Sequence, residues 1–172
     1  MSVETEISHI ERSRILIGPV EAICDSRMKA HCLDPYYKHS KGCPNWNYKK
    51  GCPPHVPYFP DTYSKSVYIA AIRFNFAEYL AKKKEIHPDW TERALRNPRH
   101  WQGHIRSELH HFLEEELPQR PDILGEVILN PEALGVNLFA TCAKAGIILE
   151  HTPENSVYNI VLIAQKLEAT PS

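Results

Sequence analysis

The chain is poor in glycine, in net charge and in long hydrophobic runs. Its 172 residues include seven glycines against fourteen prolines, and its formal net charge is -1. No run approaches the ~18 consecutive apolar residues of a membrane-spanning helix, and the polar N-terminus lacks the apolar core of a secretory signal. We therefore expect a cytoplasmic protein without a membrane segment. Its balanced charge offers no general attraction to nucleic acid.

Several sequence motifs that identify common classes of site are also missing. The chain has no C-x-x-C pair, which excludes the usual zinc-knuckle spacing. It has no P-loop, no glycine pattern of a dinucleotide-binding fold and no G-x-S-x-G nucleophile elbow.

The remaining composition is that of a packed protein, with 42% apolar and 24% charged residues. We expect a single domain over residues 1–172. Its predicted class is α/β or α+β, with a small sheet of about three or more strands, flanking helices and a long proline-rich cysteine loop. We expect residues 122–130 to form a short helix or an irregular link. The predicted strands are 14–24, 66–74 and 157–165, and the predicted helices are 77–85, 98–117 and 130–146.

Four of the five cysteines lie in or beside one irregular segment, residues 24–63. Prolines at 35, 44, 53, 54, 57 and 60 exclude a long helix or a central strand there. A structureless loop of this length is uncommon inside a compact domain, so something other than secondary structure should order it. Because cytosolic thiols stay reduced, a bound metal explains this order better than disulfides do. The cysteines concerned are Cys24, Cys32, Cys43 and Cys52, while Cys142 stands alone downstream.

The immediate surroundings of the thiols also suit a metal. Cys43 and Cys52 each follow a glycine, which permits a sharp turn, and each precedes a proline, as in many iron–sulfur ligand runs. Between residues 26 and 58 the only carboxylate is Asp34. Positive charge nearby is expected to favour the thiolate form that binds metal. The cations in this range are Arg27, Lys29, Lys38, Lys41, Lys49 and Lys50.

We predict metal ligation by Cys32, Cys43 and Cys52, with Cys24 as the fourth ligand. Cys24 ends a strand, where a buried thiol is an equally good interpretation. Cys142 is the alternative fourth ligand, although its alanine-rich helix favours a buried thiol. Four thiolates accept either one 4Fe-4S cluster or a zinc ion, and the Cys-Pro context favours the cluster.

Other residues of the loop are expected to serve the same site. Lys49, Lys50, His55 and Trp46 are candidates to contact the cofactor or a small anionic substrate. The aromatic residues between the lysines either shield the metal from water or form a stacking surface for RNA, and the neutral chain favours the first. These aromatic residues are Tyr36, Tyr37, Trp46, Tyr48, Tyr58, Phe59 and Tyr63.

Two sequence segments together resemble a family of small, uncharacterised proteins described as predicted metal-binding. The first is Cys32, then Cys43-Pro44-Asn45-Trp46, then Cys52-Pro53-Pro54-His55-Val56-Pro57. The second runs from Glu132-Ala133-Leu134-Gly135 to Gly146 and includes Cys142. Many members carry a ferredoxin-like cysteine run before the second segment, but residues 117–131 contain no cysteine, so a second cluster is not expected.

The resemblance implies metal binding, and the family's distribution among anaerobes favours iron–sulfur. The expected function is therefore a redox or cluster-dependent role beside a partner enzyme. Whether the chain itself catalyses a reaction is left open. One alternative is a zinc-stabilised interaction module, and another is a thiol-based enzyme or RNA-binding module that uses the basic aromatic loop.

Overall fold

The computed structural model describes residues 7–35, 40–50 and 52–168. Four strands form one antiparallel sheet in the order β1-β2-β4-β3. The strands are β1 (Arg12–Glu21), β2 (Ser66–Asn75), β3 (Glu126–Ile128) and β4 (Ser156–Ala164). In the β3–β4 pair, Val127 lies opposite Ile163. With its flanking helices this arrangement confirms the predicted α+β class.

The helices are short, apart from two that were predicted from their composition. The α-helices are α1 (Phe59–Thr62), α2 (Phe76–Ile86), α3 (Glu92–Leu95), α4 (Gln102–Glu116) and α5 (Leu138–Lys144). The 3-10 helices are Ser26–Leu33, Pro98–His100, Leu117–Gln119 and Pro131–Leu134. Across the described ranges, no helix combines the length and the apolar character needed to cross a bilayer.

The chain divides into two compact units. The first comprises Met1–Leu16, Ala70–Asp122 and Leu149–Ile160. Its core is aromatic: the ring centroids of Phe74 and Trp101 lie 6.3 Å apart, and those of Phe76 and Tyr79 lie 5.7 Å apart. Helix α4 adds the buried side chains Ile105, Leu109, Phe112 and Leu113, which follow the 3.6-residue period predicted for them.

The second unit comprises Ile17–Ile69, Ile123–Ile148 and Val161–Ser172. Its core contains Phe59 and the sheet residues Val67, Ile69, Leu162 and Ile163, all of them at most 2% exposed. All five cysteines belong to this unit. The metal site predicted from the sequence therefore falls within one compact unit.

The long elements follow their sequence signals closely. Strand β2 confirms the apolar, β-branched run predicted at 66–74, and β4 confirms the one at 157–165. Helix α2 starts where the Asn75 side chain accepts a hydrogen bond from the Glu78 N–H at 3.1 Å. The helix predicted for 98–117 is present but begins with a separate 3-10 turn, because Trp101 leaves the helical conformation.

Two predicted elements are wrong. Residues 126–128 form an edge strand instead of a helix or an irregular link. The single helix predicted for 130–146 is two helices, because Gly135 adopts a left-handed φ of 95° and Asn137 begins α5 as its N-cap. The irregular segment also begins with a helix, Ser26–Leu33. Its 3-10 geometry lacks the 3.6-residue period by which a helix is recognised in sequence.

The Glu150 side chain binds the backbone that leads into β4. We expect removal of this side chain to destabilise the first unit. Its carboxylate accepts hydrogen bonds from the backbone N–H groups of Glu154 at 3.1 Å, Asn155 at 3.1 Å and Ser156 at 2.8 Å. Glu150→Ala leaves these donors without that acceptor. A loss of about 1 kcal/mol would lower the melting temperature by about 2–4 °C in scanning calorimetry.

The effect of Glu150→Ala should depend on pH in one direction. The Ser156, Asn155 and Glu154 N–H groups lower the pKa of the Glu150 carboxyl in the folded state. The Glu150 carboxylate therefore contributes fully to the free energy of unfolding above its unfolded-state pKa of about 4.3. This contribution is lost as pH falls through the lower folded-state pKa. The difference between wild type and Glu150→Ala should shrink on acidification, whereas the control Glu154→Ala should match wild type. An unchanged difference at pH 3 would contradict this role.

Candidate metal centre

Cys32 lies in the last turn of the 3-10 helix Ser26–Leu33, and its side chain is half-exposed. The helix starts at Asp25, whose carboxylate accepts the Arg27 N–H at 2.9 Å. The same carboxylate pairs with the Arg27 guanidinium at 2.7 Å. One of the cations predicted to support the thiols is therefore paired with a carboxylate at the other end of the helix.

Cys43 is held directly against Cys32 by its backbone. The Cys43 N–H donates to the Cys32 carbonyl oxygen at 2.6 Å. Gly42 has a φ of 87°, and a Cβ atom on it would stand 2.5 Å from that same oxygen, so only glycine fits. The sharp turn predicted before Cys43 is confirmed. Gly51, the matching glycine before Cys52, lies outside the described residues, as do Tyr36, Tyr37 and Lys38.

Cys52 closes a compact series of turns. Its N–H donates to the Lys49 carbonyl at 3.0 Å, and the Asn47 N–H donates to the Pro53 carbonyl at 2.8 Å. His55 reaches back into these turns, with its Nε2 2.7 Å from Asn47 Oδ1. This contact holds the His55 ring against the loop itself. The loop is therefore ordered by its own hydrogen bonds as well as by its prolines.

The thiols of Cys32, Cys43 and Cys52 interact electrostatically. Desolvation is the main cause that raises the pKa of the Cys32 thiol, and the negative charges of Cys43 and Cys52 raise it further. The prediction that nearby cations favour the thiolate is therefore wrong for Cys32. The neutral form of a free Cys32 thiol is therefore favoured.

The described lysines of the loop either contact other loop residues or are exposed. The Lys29 ammonium donates to the Val56 carbonyl at 3.1 Å and lies 5.8 Å from the centroid of the Tyr58 ring. Lys41, Lys49 and Lys50 are exposed. They give the surface of the loop a positive charge.

Cys24 has different surroundings from the three loop thiols. It forms an isolated antiparallel bridge with Val136, and its Sγ lies 3.7 Å from the Ala22 carbonyl oxygen. Burial raises the pKa of the Cys24 thiol; the charge of Lys65 lowers it and that of Glu21 raises it. The charges that act on the Cys24 thiol are therefore those of Lys65 and Glu21.

Cys142 is fully buried in α5. Desolvation, and to a smaller extent the charge of Glu132, raises the pKa of its thiol to about 11. Reaching a metal on the loop would require α5 to unfold locally. The position therefore matches the buried thiol that its alanine-rich sequence context favoured.

The thiols are near one another but do not form a closed ligand set. Within residues 7–35, 40–50 and 52–168, no three His, Cys, Asp or Glu side chains are close enough to hold a metal ion as they stand. Beside Cys43 the surface opens into a cavity of about 390 Å³. Its walls include Leu33, Lys41, Pro44, Trp46 and Tyr48, and the Tyr48 side chain is 89% exposed.

Glu132 is a carboxylate whose charge acts on two of the thiols and which the sequence prediction missed. It lies on the 3-10 helix Pro131–Leu134, and its charge contributes to the raised pKa of both Cys32 and Cys142. Desolvation raises the pKa of the Glu132 carboxyl itself, and His31 opposes that rise. The only sequence signal was its place in the second segment of the family resemblance, which assigned it no role.

The chain was compared with family models, with curated proteins and with solved structures, and none of them matches. The geometry of the chain's own residues therefore carries the functional argument. The donor set fits a thiophilic metal in its chemistry, since Cys24, Cys32, Cys43 and Cys52 are free and partly exposed. Cys32, Cys43 and Cys52 are the subset that also interacts electrostatically.

Proposed function

We propose that the chain binds one iron–sulfur cluster through the thiolates of Cys32, Cys43 and Cys52 and serves a redox or cluster-dependent role beside a partner protein. The observation that carries the proposal is the direct backbone contact between Cys43 and Cys32, made possible by Gly42. A bound cluster would supply one-electron transfer at this loop. The resemblance to a predicted metal-binding family supports the same reading.

The electrostatics of the loop favour a bound cation. Three thiolates at close quarters repel one another, and desolvation adds to the cost of ionising Cys32. A metal ion or cluster removes both costs, because it replaces repulsion with ligand bonds. As the thiols do not form a closed set beforehand, binding must draw the loop together, so metal affinity and loop order are coupled.

The outer surface of the loop suggests what would approach the site. Lys41 lines the cavity beside Cys43, and Lys49 and Lys50 are exposed nearby. This positive surface suits an acidic patch on a partner protein or a small anionic substrate. RNA is the weaker alternative, because the chain as a whole carries a net charge of -1.

Metal and sulfide analysis of oxygen-free protein tests the proposal. We expect a brown protein that contains iron and acid-labile sulfide. A colourless protein with one zinc ion would replace the cluster with the zinc-stabilised interaction module, since thiolates bind both. A protein that holds neither metal, and takes up neither on reconstitution, would overturn metal binding altogether.

A further inference from the structure

We propose that Cys32 and Cys43 are a redox modification site and form a reversible disulfide when the chain meets a small-molecule disulfide such as oxidised glutathione. Both thiols are free and half-exposed in the structure. Where disulfides form in a reducing compartment, they are usually transient and serve redox sensing or catalysis. The proposal does not rest on the metal centre, because it concerns the thiols of the metal-free chain.

The backbone holds the two cysteines within the distance that a disulfide spans. The Cys43 N–H donates to the Cys32 carbonyl oxygen at 2.6 Å. With standard bond lengths on either side of this hydrogen bond, the two Cα atoms lie at most about 6.5 Å apart. Cα atoms that are joined by a disulfide lie about 4.4–6.8 Å apart. The pair is therefore close enough to be bridged without a large movement of the backbone.

The glycine before Cys43 makes this close approach possible. Cys32 lies in the 3-10 helix Ser26–Leu33, and the segment that carries Cys43 passes directly over the end of that helix. A Cβ atom on Gly42 would lie 2.5 Å from the Leu33 Cα and 2.5 Å from the Cys32 carbonyl oxygen. Any other residue would push the two segments apart. The position of Cys43 relative to Cys32 is therefore set by native packing.

The other three cysteines lack this arrangement. Cys142 is 0% exposed, and Cys24 forms an isolated bridge with Val136. The Cys52 N–H donates within its own turn, to the Lys49 carbonyl. Within the described part of the chain, no other two cysteines share a backbone hydrogen bond.

The oxidation balances with the small disulfide as the oxidant. Cys43 borders the cavity of about 390 Å³, where its thiolate attacks one sulfur of the small disulfide. A mixed disulfide forms on Cys43, the original S–S bond breaks, and one small thiolate leaves. The Cys32 thiolate then attacks the Cys43 sulfur, which forms the Cys32–Cys43 bond and releases the second small thiolate. The two cysteine protons end on the released thiolates, so the chain loses two electrons and two protons and the oxidant becomes two thiols.

The cavity also suits the charge of such an oxidant. Lys41 is exposed and lines the cavity together with Cys43. Its positive charge attracts an anionic small disulfide such as oxidised glutathione.

A glutathione titration of the full-length chain tests the pair. Metal is removed with a chelator, oxygen is excluded, and the protein is equilibrated at increasing ratios of oxidised to reduced glutathione. The proteins are wild type, Cys32→Ser and the control Cys24→Ser, and wild type is also titrated in urea. Remaining thiols are alkylated, and the chain is digested with trypsin without reduction. Because lysines lie between Cys32 and Cys43 and between Cys43 and Cys52, mass spectrometry of the peptides identifies which cysteines are joined.

We expect wild type and Cys24→Ser to give linked peptides of Cys32 and Cys43 and to reach half-oxidation at the same glutathione ratio. Cys32→Ser should stop at the mixed disulfide between Cys43 and glutathione, because it lacks the thiol for the second step. In urea, half-oxidation of wild type should need a ratio at least about tenfold higher, because unfolding removes the contact that brings the thiols together.

Three results would overturn the proposal. The first is linkage of Cys43 to Cys52 in native wild type, and the second is glutathione adducts without any linked peptides. The third is equal oxidation of the native and the unfolded chain, which would show that the fold does not position the pair. None of these results bears on metal binding, which is measured separately by metal and sulfide content.

Discussion

Cys43→Ser and Cys52→Ser should each lose the bound metal, from about one centre per chain to less than about a tenth of that. Each thiolate contributes one of the few bonds that close the site, and a serine hydroxyl is a poor ligand for a thiophilic metal. Cys43 is also the thiol whose backbone is bonded to Cys32. Metal and sulfide content of the purified, oxygen-free variants provides the measurement.

Two further cysteine variants are matched controls for this result. Cys142→Ala removes a fully buried thiol and should keep the metal, although it costs some stability. Cys24→Ser should also keep the metal, because the thiol lies among Lys65 and Glu21. If both Cys43→Ser and Cys52→Ser keep the wild-type metal content, ligation by the loop is refuted. If Cys24→Ser loses the metal, Cys24 belongs to the ligand set.

Loss of metal should loosen the loop as well. Lys41, Lys49 and Lys50 are exposed sites for trypsin within the cysteine loop. Because binding and loop order are coupled, cleavage at these lysines should be faster in metal-free wild type and in Cys43→Ser than in the loaded protein. Cleavage at the same rate in the loaded and metal-free forms would show that the loop is ordered without the metal.

Local sequence signals predicted the long elements of the fold but not the short ones. Strand β2 and helix α2 carry their own composition and their own cap, so they could be recognised without tertiary information. Strand β3 has three residues and exists because Val127 pairs with Ile163, far along the chain. This pairing is a long-range contact that no local pattern encodes. The break at Gly135 differs, because a left-handed glycine and the N-cap Asn137 are local signals that the single-helix prediction did not use.

At the candidate metal centre, too, local sequence signals were predictive and features set by tertiary contacts were missed. Gly42 and the proline that follows Cys43 are local signals, and they correctly indicated a sharp turn beside a candidate ligand. The charge pattern was misleading, because counting cations along the chain cannot show that Arg27 pairs with Asp25. Glu132 was missed for a related reason: only the packing of two 3-10 helices brings its segment against that of Cys32.

We expect the Cys142 thiol to be alkylated far more slowly than the loop thiols. Burial raises the pKa of Cys142 from 9.0 to about 11, and each pKa unit lowers the thiolate fraction about tenfold below the pKa. At pH 8 this alone slows alkylation about 100-fold relative to a thiol with the ordinary pKa of 9.0, and burial in α5 adds a requirement for local opening. Iodoacetamide labelling of metal-free protein, followed by peptide mass spectrometry over time, measures the rate at each cysteine.

The labelling is repeated in urea and on the metal-loaded protein as two controls. In unfolding concentrations of urea all five thiols should react at similar rates, so that slow labelling of Cys142 is traced to burial. Labelling of native Cys142 as fast as that of Cys52 would show that α5 does not enclose it. In the metal-loaded protein Cys32, Cys43 and Cys52 should become protected while Cys24 stays reactive, because ligation removes the nucleophilic lone pair only from thiols bound to the metal. Protection that extends to Cys24 would instead place a fourth sulfur at the centre.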